Sequence, residues 1–223
     1  MKNLLLKLKI HVSDHIYLKD PETSDLGKKI ITESINLLDE LGFESFTFKK
    51  LSEKIDSTEA SIYRYFESKH KLLLYIISWY WGWLEYRLVF GLTNINSPEE
   101  RLNIAIRIIT DKESKDFEHP YIDLDKLINI IVSESSKTYL TQNVDQENQD
   151  GVFEGYKQLV GRISEIIKEI NPDYQYARML ISTIMEGANH LRFFSKHLPL
   201  MIDKDEDISQ FYTDMVLKTI NKN

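Results

Sequence analysis

Residues 47–71 hold a dense set of groups that can bind an anion or a base edge without making or breaking a covalent bond. Thr47 and the N–H groups beside it could hold a phosphate at a helix N-terminus. Lys49, Thr58, Glu59, Ala60 and Ser61 are candidate readers of base edges. Glu59 can accept from cytosine N4, and Ala60 can meet a thymine methyl. Lys50, Arg64, Lys69 and Lys71 add local positive charge. Plainer readings stand beside these. Thr47 and Thr58 also serve as helix caps, and Glu59 is a favourable charge in a first helical turn. Ile62 and Phe66 are core residues.

These groups need elements to hold them, and the spacing predicts helices. Ser24 or Asp25 caps a first helix with Ile30, Ile31, Ile35, Leu38 and Leu41 on one face and Gly42 as its stop. Thr47 opens a second with Phe48, Leu51 and Ile55. Asp56 and Ser57 break it, and Thr58 opens a short third. Ser68 or Lys69 starts a long fourth helix running to about Phe90. Three short helices with a three-to-four-residue turn between the last two have helix-turn-helix spacing. The third helix of such a unit can enter a major groove, which is wide enough for one helix.

The stretches Phe46-Thr47-Phe48-Lys49-Lys50-Leu51-Ser52-Glu53-Lys54-Ile55 and Thr58-Glu59-Ala60-Ser61-Ile62-Tyr63-Arg64-Tyr65-Phe66-Glu67-Ser68-Lys69-His70-Lys71-Leu72-Leu73 resemble the tetracycline-repressor (TetR/AcrR) family of transcriptional regulators. The resemblance covers roughly a fifth of the chain and rests on the aromatic-rich end of the third helix followed by Lys-x-x-Leu. It implies that Tyr63, Tyr65 and Lys69 touch the sugar-phosphate backbone, which positions a protein without reading sequence. The family's usual turn is Ala-Gly-Val-Ser, and this chain has Ile55-Asp56-Ser57-Thr58. Glycine suits a turn residue at positive φ, and Asp tolerates that conformation better than most.

The expected fold class is all-α. A three-helix DNA-binding domain at 25–72 precedes a larger helical ligand-binding and dimerisation domain of about nine helices at 73–223, with an arm at 1–24. The apolar alternation from Leu4 to Val12 fits a short strand, and Leu4, Leu5, Leu8 and Val12 equally fit a helix turn or a disordered tail.

The long fourth helix carries Trp79, Tyr80, Trp81, Trp83, Tyr86 and Phe90. Part of this cluster either lines an apolar pocket or is ordinary core. Trp79, Trp83, Tyr86, Phe117, Tyr121, Tyr156, His190 and Phe193 are the pocket candidates, with His119 and Arg192 near them. The last two helices are apolar over wide arcs, which suggests a partner. Their candidate contact residues are Tyr176, Leu180, Ile184, Leu191, Phe211 and Met215. In the resembling family the corresponding helices build a four-helix bundle between two subunits. A two-fold dimer implies a palindromic operator on double-stranded DNA. A small, largely apolar effector of unknown identity would shift the population of head spacings.

The chain of 223 residues has net charge −7 and no cysteine, which excludes disulfides and thiol chemistry. Residues 25–72 hold eight Lys/Arg against nine Asp/Glu, so the acidity lies mainly in 73–223. General coating of nucleic acid is excluded, but specific operator binding is not. Roughly three cations per subunit at phosphates predict a log K against log salt slope of about −5. No phosphate-binding glycine loop, His-x-x-x-His helix or paired catalytic carboxylates stand out, so no enzyme, cofactor or metal is expected. The expected place of action is the cytoplasm, with no membrane role. A competing reading keeps the fold and drops DNA binding, leaving a small-molecule or protein-binding module.

Overall fold

The computed structural model describes residues 10–110, 119–203 and 207–221. The described residues hold eleven α-helices and no strand. These are α1 (Asp25–Ser45), α2 (Phe48–Lys54), α3 (Glu59–Tyr63), α4 (Lys69–Gly91), α5 (Pro98–Thr110), α6 (Leu124–Glu134), α7 (Ser136–Tyr139), α8 (Val144–Gln149), α9 (Glu154–Ile170), α10 (Ala177–His197) and α11 (Ile208–Ile220). The all-α class therefore holds. Most of the proposed strand, residues 4–9, lies outside the described residues. Its remainder, Ile10 to Val12, has no regular structure. No described helix is long and apolar enough to cross a membrane.

The chain forms two compact units. One takes residues 1–82 and 114–154, and the other 83–113 and 155–223. Helices α6, α7 and α8 belong to the unit that contains α1, α2 and α3.

In the first unit, Ser24 caps α1 by accepting from the Gly27 N–H. Ile30, Ile31, Ile35, Leu37 and Leu38 form its buried face. Gly42 has φ 72°, the left-handed region that favours glycine, and it interrupts α1 there, leaving two helical segments across a kink. The face of α1 toward α6 has a polar seam. Thr32 Oγ1 donates to the Tyr121 carbonyl at 2.7 Å, and Lys126 Nζ donates to Asn36 Oδ1 at 2.7 Å. Asn129 Nδ2 donates to Asp39 Oδ1 at 2.9 Å. Beyond the kink, the Phe43 N–H donates to Glu134 Oε1 at 3.1 Å. Bonds at this spacing fix the register of α1 on α6, which apolar contact alone leaves free to slide.

The second unit is a helical bundle in which α5 packs on α10 and α11. Leu102, Ala105, Ile106 and Ile109 supply the buried stripe of α5. Leu159, Val160, Ile163, Ile166 and Ile167 supply that of α9. Arg162 Nε pairs with Glu85 Oε1 at 2.9 Å, and Arg101 pairs with Glu169. Asn171 Nδ2 donates to the Ile220 carbonyl at 2.7 Å, satisfying an end carbonyl of α11.

Candidate nucleic-acid interface

The helix-turn-helix is built from two capped short helices around a buried apolar wedge. Thr47 Oγ1 accepts from the Lys50 N–H at 3.2 Å, and Thr58 Oγ1 from the Ser61 N–H at 3.3 Å. Phe46, Leu51, Ile62 and Phe66 have no exposed surface. Between the helices Asp56 has φ 53°, the conformation expected where the family's turn has glycine. The Ser57 N–H donates to the Ser52 carbonyl at 2.9 Å and closes the turn.

This packing turns one side of α2 and α3 outward. Thr47, Lys49, Lys50, Thr58, Glu59, Ala60 and Arg64 are exposed, and Ser61 is half-buried. Tyr63 is 49% exposed although its ring meets Phe48 edge-on at 5.0 Å. That contact pins an aromatic ring at the surface, so little side-chain entropy is lost when it binds something. Most of the proposed base and phosphate readers thus share one exposed surface of two adjoining helices.

Two of the expected backbone contacts have other work in the fold. Tyr65 is 3% exposed. Its hydroxyl hydrogen-bonds Ser24 Oγ at 2.8 Å, and its carbonyl accepts from the Leu18 N–H at 2.8 Å. Lys69 Nζ donates to the carbonyls of Phe43 (2.9 Å), Glu44 (3.3 Å) and Phe46 (3.3 Å), and it lies 4.5 Å from the centre of the Phe43 ring. All three ammonium donors are engaged, so Lys69 caps the kinked end of α1. Lys50 Nζ likewise donates to the Ser45 carbonyl at 2.8 Å. Lys71 lies 3.6 Å from Glu147 Oε1, which also meets His70 Nε2 at 3.0 Å. Exposed Lys49, Lys54 and Arg64 make no side-chain bond or ion pair with other described residues. Lys54 was missed in the sequence because it ends α2 next to the acidic turn. Its exposure follows only from how Leu51 and Ile55 pack.

The proposed pocket residues divide between the two units. In the first, the buried Trp79 meets His119 edge-on at 5.1 Å, and His119 meets Tyr121 at 4.4 Å. The Tyr121 hydroxyl donates to Glu22 Oε1 at 3.1 Å. Burial pushes the His119 imidazole down to about 4, favouring its neutral form. Burial and then the Glu22 carboxylate push the Tyr121 phenol up. In the second unit Trp83 is buried with the Arg87 guanidinium 4.8 Å from its ring, and Tyr86 is half-buried. The Tyr156 hydroxyl there donates to Glu186 Oε1 at 3.0 Å. Phe193 is half-buried against His197, with 4.5 Å between ring centres. His190 is exposed and stacks on Phe194, so it does not line an enclosed pocket. Phe117 lies outside the described residues.

Among the proposed dimer contacts, Tyr176 is 59% and Phe211 55% exposed, while Leu180, Leu191 and Met215 are half-buried. Ile184 is a correction. It is fully buried with Ile181, Met185 and Ala188 and belongs to the subunit's own core. Met179, 68% exposed, was missed. The signal was present: Ala177, Ile181, Ile184 and Ala188 already complete one core stripe, leaving Tyr176, Met179 and Leu180 as surplus.

Residues 30–76 match the model of the bacterial regulatory proteins of the tetR family. Comparison with curated proteins by sequence gives no match. The fold is similar to that of the fatty acid degradation regulator FadR from Bacillus halodurans (TM-score 0.61, 17% identity, covering 91% of this chain and 95% of that one). It is similar to FadR from Bacillus subtilis in complex with stearoyl-CoA (0.60, 15%, 86% and 96%). It is also similar to the superantigen PfiT (0.60, 16%, 90% and 97%). At such identities these likenesses speak for the fold alone. The matched segment contains the two capped helices, the Asp56 turn and the exposed Tyr63, and over residues 30–76 the chain is similar to the bacterial regulatory proteins of the tetR family.

Proposed function

We propose that the chain is a homodimeric, sequence-specific DNA-binding transcriptional regulator, a repressor released by a small, largely apolar ligand. The observation that carries this reading is the outward face of α2 and α3. Lys49, Thr58, Glu59, Ala60, Tyr63 and Arg64 are exposed there above a fully buried wedge of Leu51, Ile62 and Phe66. Such a surface suits a major groove: short polar side chains for base edges, flanked by cations and a pinned tyrosine for phosphates. The apolar surface left on α10 and α11 suits a second copy of the chain. Two heads related by a two-fold axis would read a palindrome.

The effector reading is supported by the aromatic density of α4 and by related folds. FadR from Bacillus subtilis was solved with stearoyl-CoA, and AibR with isovaleryl coenzyme A and operator DNA. Acyl thioesters of short and long chain are therefore the first class of ligand to test here.

The test is selection of bound duplexes from random DNA, with the oligomeric state measured by sedimentation. The expected result is a dimer, an enriched palindrome and a salt slope of about −5. A dimer that enriches nothing at low salt would overturn the reading. A second reading then applies, in which the fold serves as a binding module without DNA. Its supports are the net charge of −1 over residues 25–72, the engagement of Lys50, Lys69 and Lys71 within the fold, and a superantigen among the proteins of this fold.

A further inference from the structure

Residues 10–24 lie outside the helix-turn-helix, yet they are built into its unit. Ile10, Val12, Ile16 and Pro21 are buried. Two glycines make room for them. A Cβ on Gly27 would stand 2.1 Å from the Pro21 carbonyl oxygen, and one on Gly82 would stand 2.7 Å from Ile10 Cγ2. The segment is tied at one end by Ser13 Oγ, which donates to the Asp150 carbonyl at 2.8 Å. At the other end its ties converge on Tyr65, just past the last turn of α3. The Leu18 N–H donates to the Tyr65 carbonyl, Ser24 Oγ meets the Tyr65 hydroxyl, and Lys19 Nζ lies 5.0 Å from the centre of the Tyr65 ring. Tyr17 packs edge-on against Tyr75 at 6.0 Å, one more anchor along α4.

We propose that residues 10–24 form a strap that fixes the exit of the reading helix, so that DNA affinity depends on a segment outside the helix-turn-helix. Helix α3 has five residues, too few to be stable alone, and its last carbonyls need partners. The strap supplies a partner just beyond the helix end, where the Leu18 N–H bonds the carbonyl of Tyr65. Tyr63 and Arg64, the exposed residues immediately before it, are thereby held in place before DNA arrives. A loosened exit would have to be ordered on binding, at a cost in affinity. Leu18 is the sharp probe because it is 59% exposed, so its backbone N–H matters more than its side chain.

The inference rests on the DNA-binding reading above, and two readouts separate them: affinity for the selected duplex, and amide hydrogen exchange across residues 63–68. Leu18→Pro removes the N–H, while Leu18→Ala keeps it. Leu18→Pro is expected to bind about tenfold more weakly, equivalent to about 1.4 kcal/mol or one hydrogen bond, and to exchange faster across 63–68. Leu18→Ala is expected to match the parent in both. Equal affinity and equal exchange for the two variants would overturn the strap. Where Leu18→Pro does not fold, Tyr65→Phe decides. Faster exchange with weaker binding supports the strap, and no change in either overturns it. A parent chain that enriches no duplex defeats the DNA-binding reading and with it the affinity half of the strap. The exchange arm then judges the mechanical half by itself.

Discussion

The reading head and the last two helices dispose of their apolar surface in opposite ways. In the head, Ile30, Phe46, Leu51, Ile62 and Phe66 are buried completely, and the outer face is left to polar groups and one tyrosine. In α10 and α11 the internal stripe is equally well buried, yet Tyr176, Met179 and Phe211 remain more than half exposed. A surface for DNA must be wet and charged, because its partner is a hydrated polyanion. A surface for a second copy of the chain gains from apolar area that water would otherwise cover. The contrast fits the different partners proposed for the two regions, and substitutions on each should have unlike signatures.

The largest effect is expected inside the head. Phe66→Ala empties a fully buried site next to Ile62 and Tyr75, and such truncations cost about 3–5 kcal/mol. Melting temperature should fall, and DNA binding should be lost together with the fold, not separately from it. Unchanged melting would mean that the wedge is not what holds the two short helices together.

Next in size is the apolar face. Met179→Asp and Phe211→Asp each place a charge on an exposed side chain, so the subunit's own stability should hardly move. If the face meets a second copy, each change should weaken the dimer by roughly 2 kcal/mol or more, visible as monomer by sedimentation. DNA affinity should fall in parallel because half-sites are no longer bound as a pair. A variant that stays dimeric at the parent's concentrations would detach this face from dimerisation and break the comparison on that side.

Arg64→Ala is smaller and sharpens the comparison on the other side. Arg64 is exposed and its side chain makes no bond or ion pair with other described residues, so stability should stay within about 0.5 kcal/mol. Two copies in a dimer should flatten the salt slope by about 1.8, with affinity falling at low salt. The same truncation of Lys69 should behave differently. Its ammonium holds three carbonyls at the end of α1, so Lys69→Ala should lower melting temperature before any change in salt slope is seen.

Much of the fold was legible because its signals are local. Ser24, Thr47 and Thr58 announce helix starts through their own hydroxyls, and the structure places all three as caps. The wedge of Leu51, Ile62 and Phe66 follows from helical spacing. What sequence reasoning missed depends on distant partners. Lys69 was read as a phosphate contact, since nothing nearby tells that the carbonyls of Phe43, Glu44 and Phe46 wait for it across a kink. Tyr65 was read the same way, because its partners Leu18 and Ser24 lie more than forty residues earlier. Ile184 looked like surplus because periodicity names an apolar face without saying which element covers it.

The smallest effect concerns the turn, where the chain departs from the family pattern it resembles. Asp56 stands at φ 53°, a conformation that costs an L-residue about 1–2 kcal/mol and an Asp somewhat less. Asp56→Gly removes that cost and adds unfolded-state entropy of similar size, so the net gain should be only about 0.5 kcal/mol. The carboxylate also stands at the turn between the two helices proposed to face DNA, where a negative charge would oppose phosphate. Its removal should therefore tighten DNA binding two- to threefold, about 0.5 kcal/mol, and more at low salt than at high. Chemical denaturation and duplex titration separate the two effects. A gain in stability without a gain in affinity would place Asp56 off the DNA path and leave the turn a purely conformational departure. A loss of stability would mean that the Asp side chain itself holds the turn.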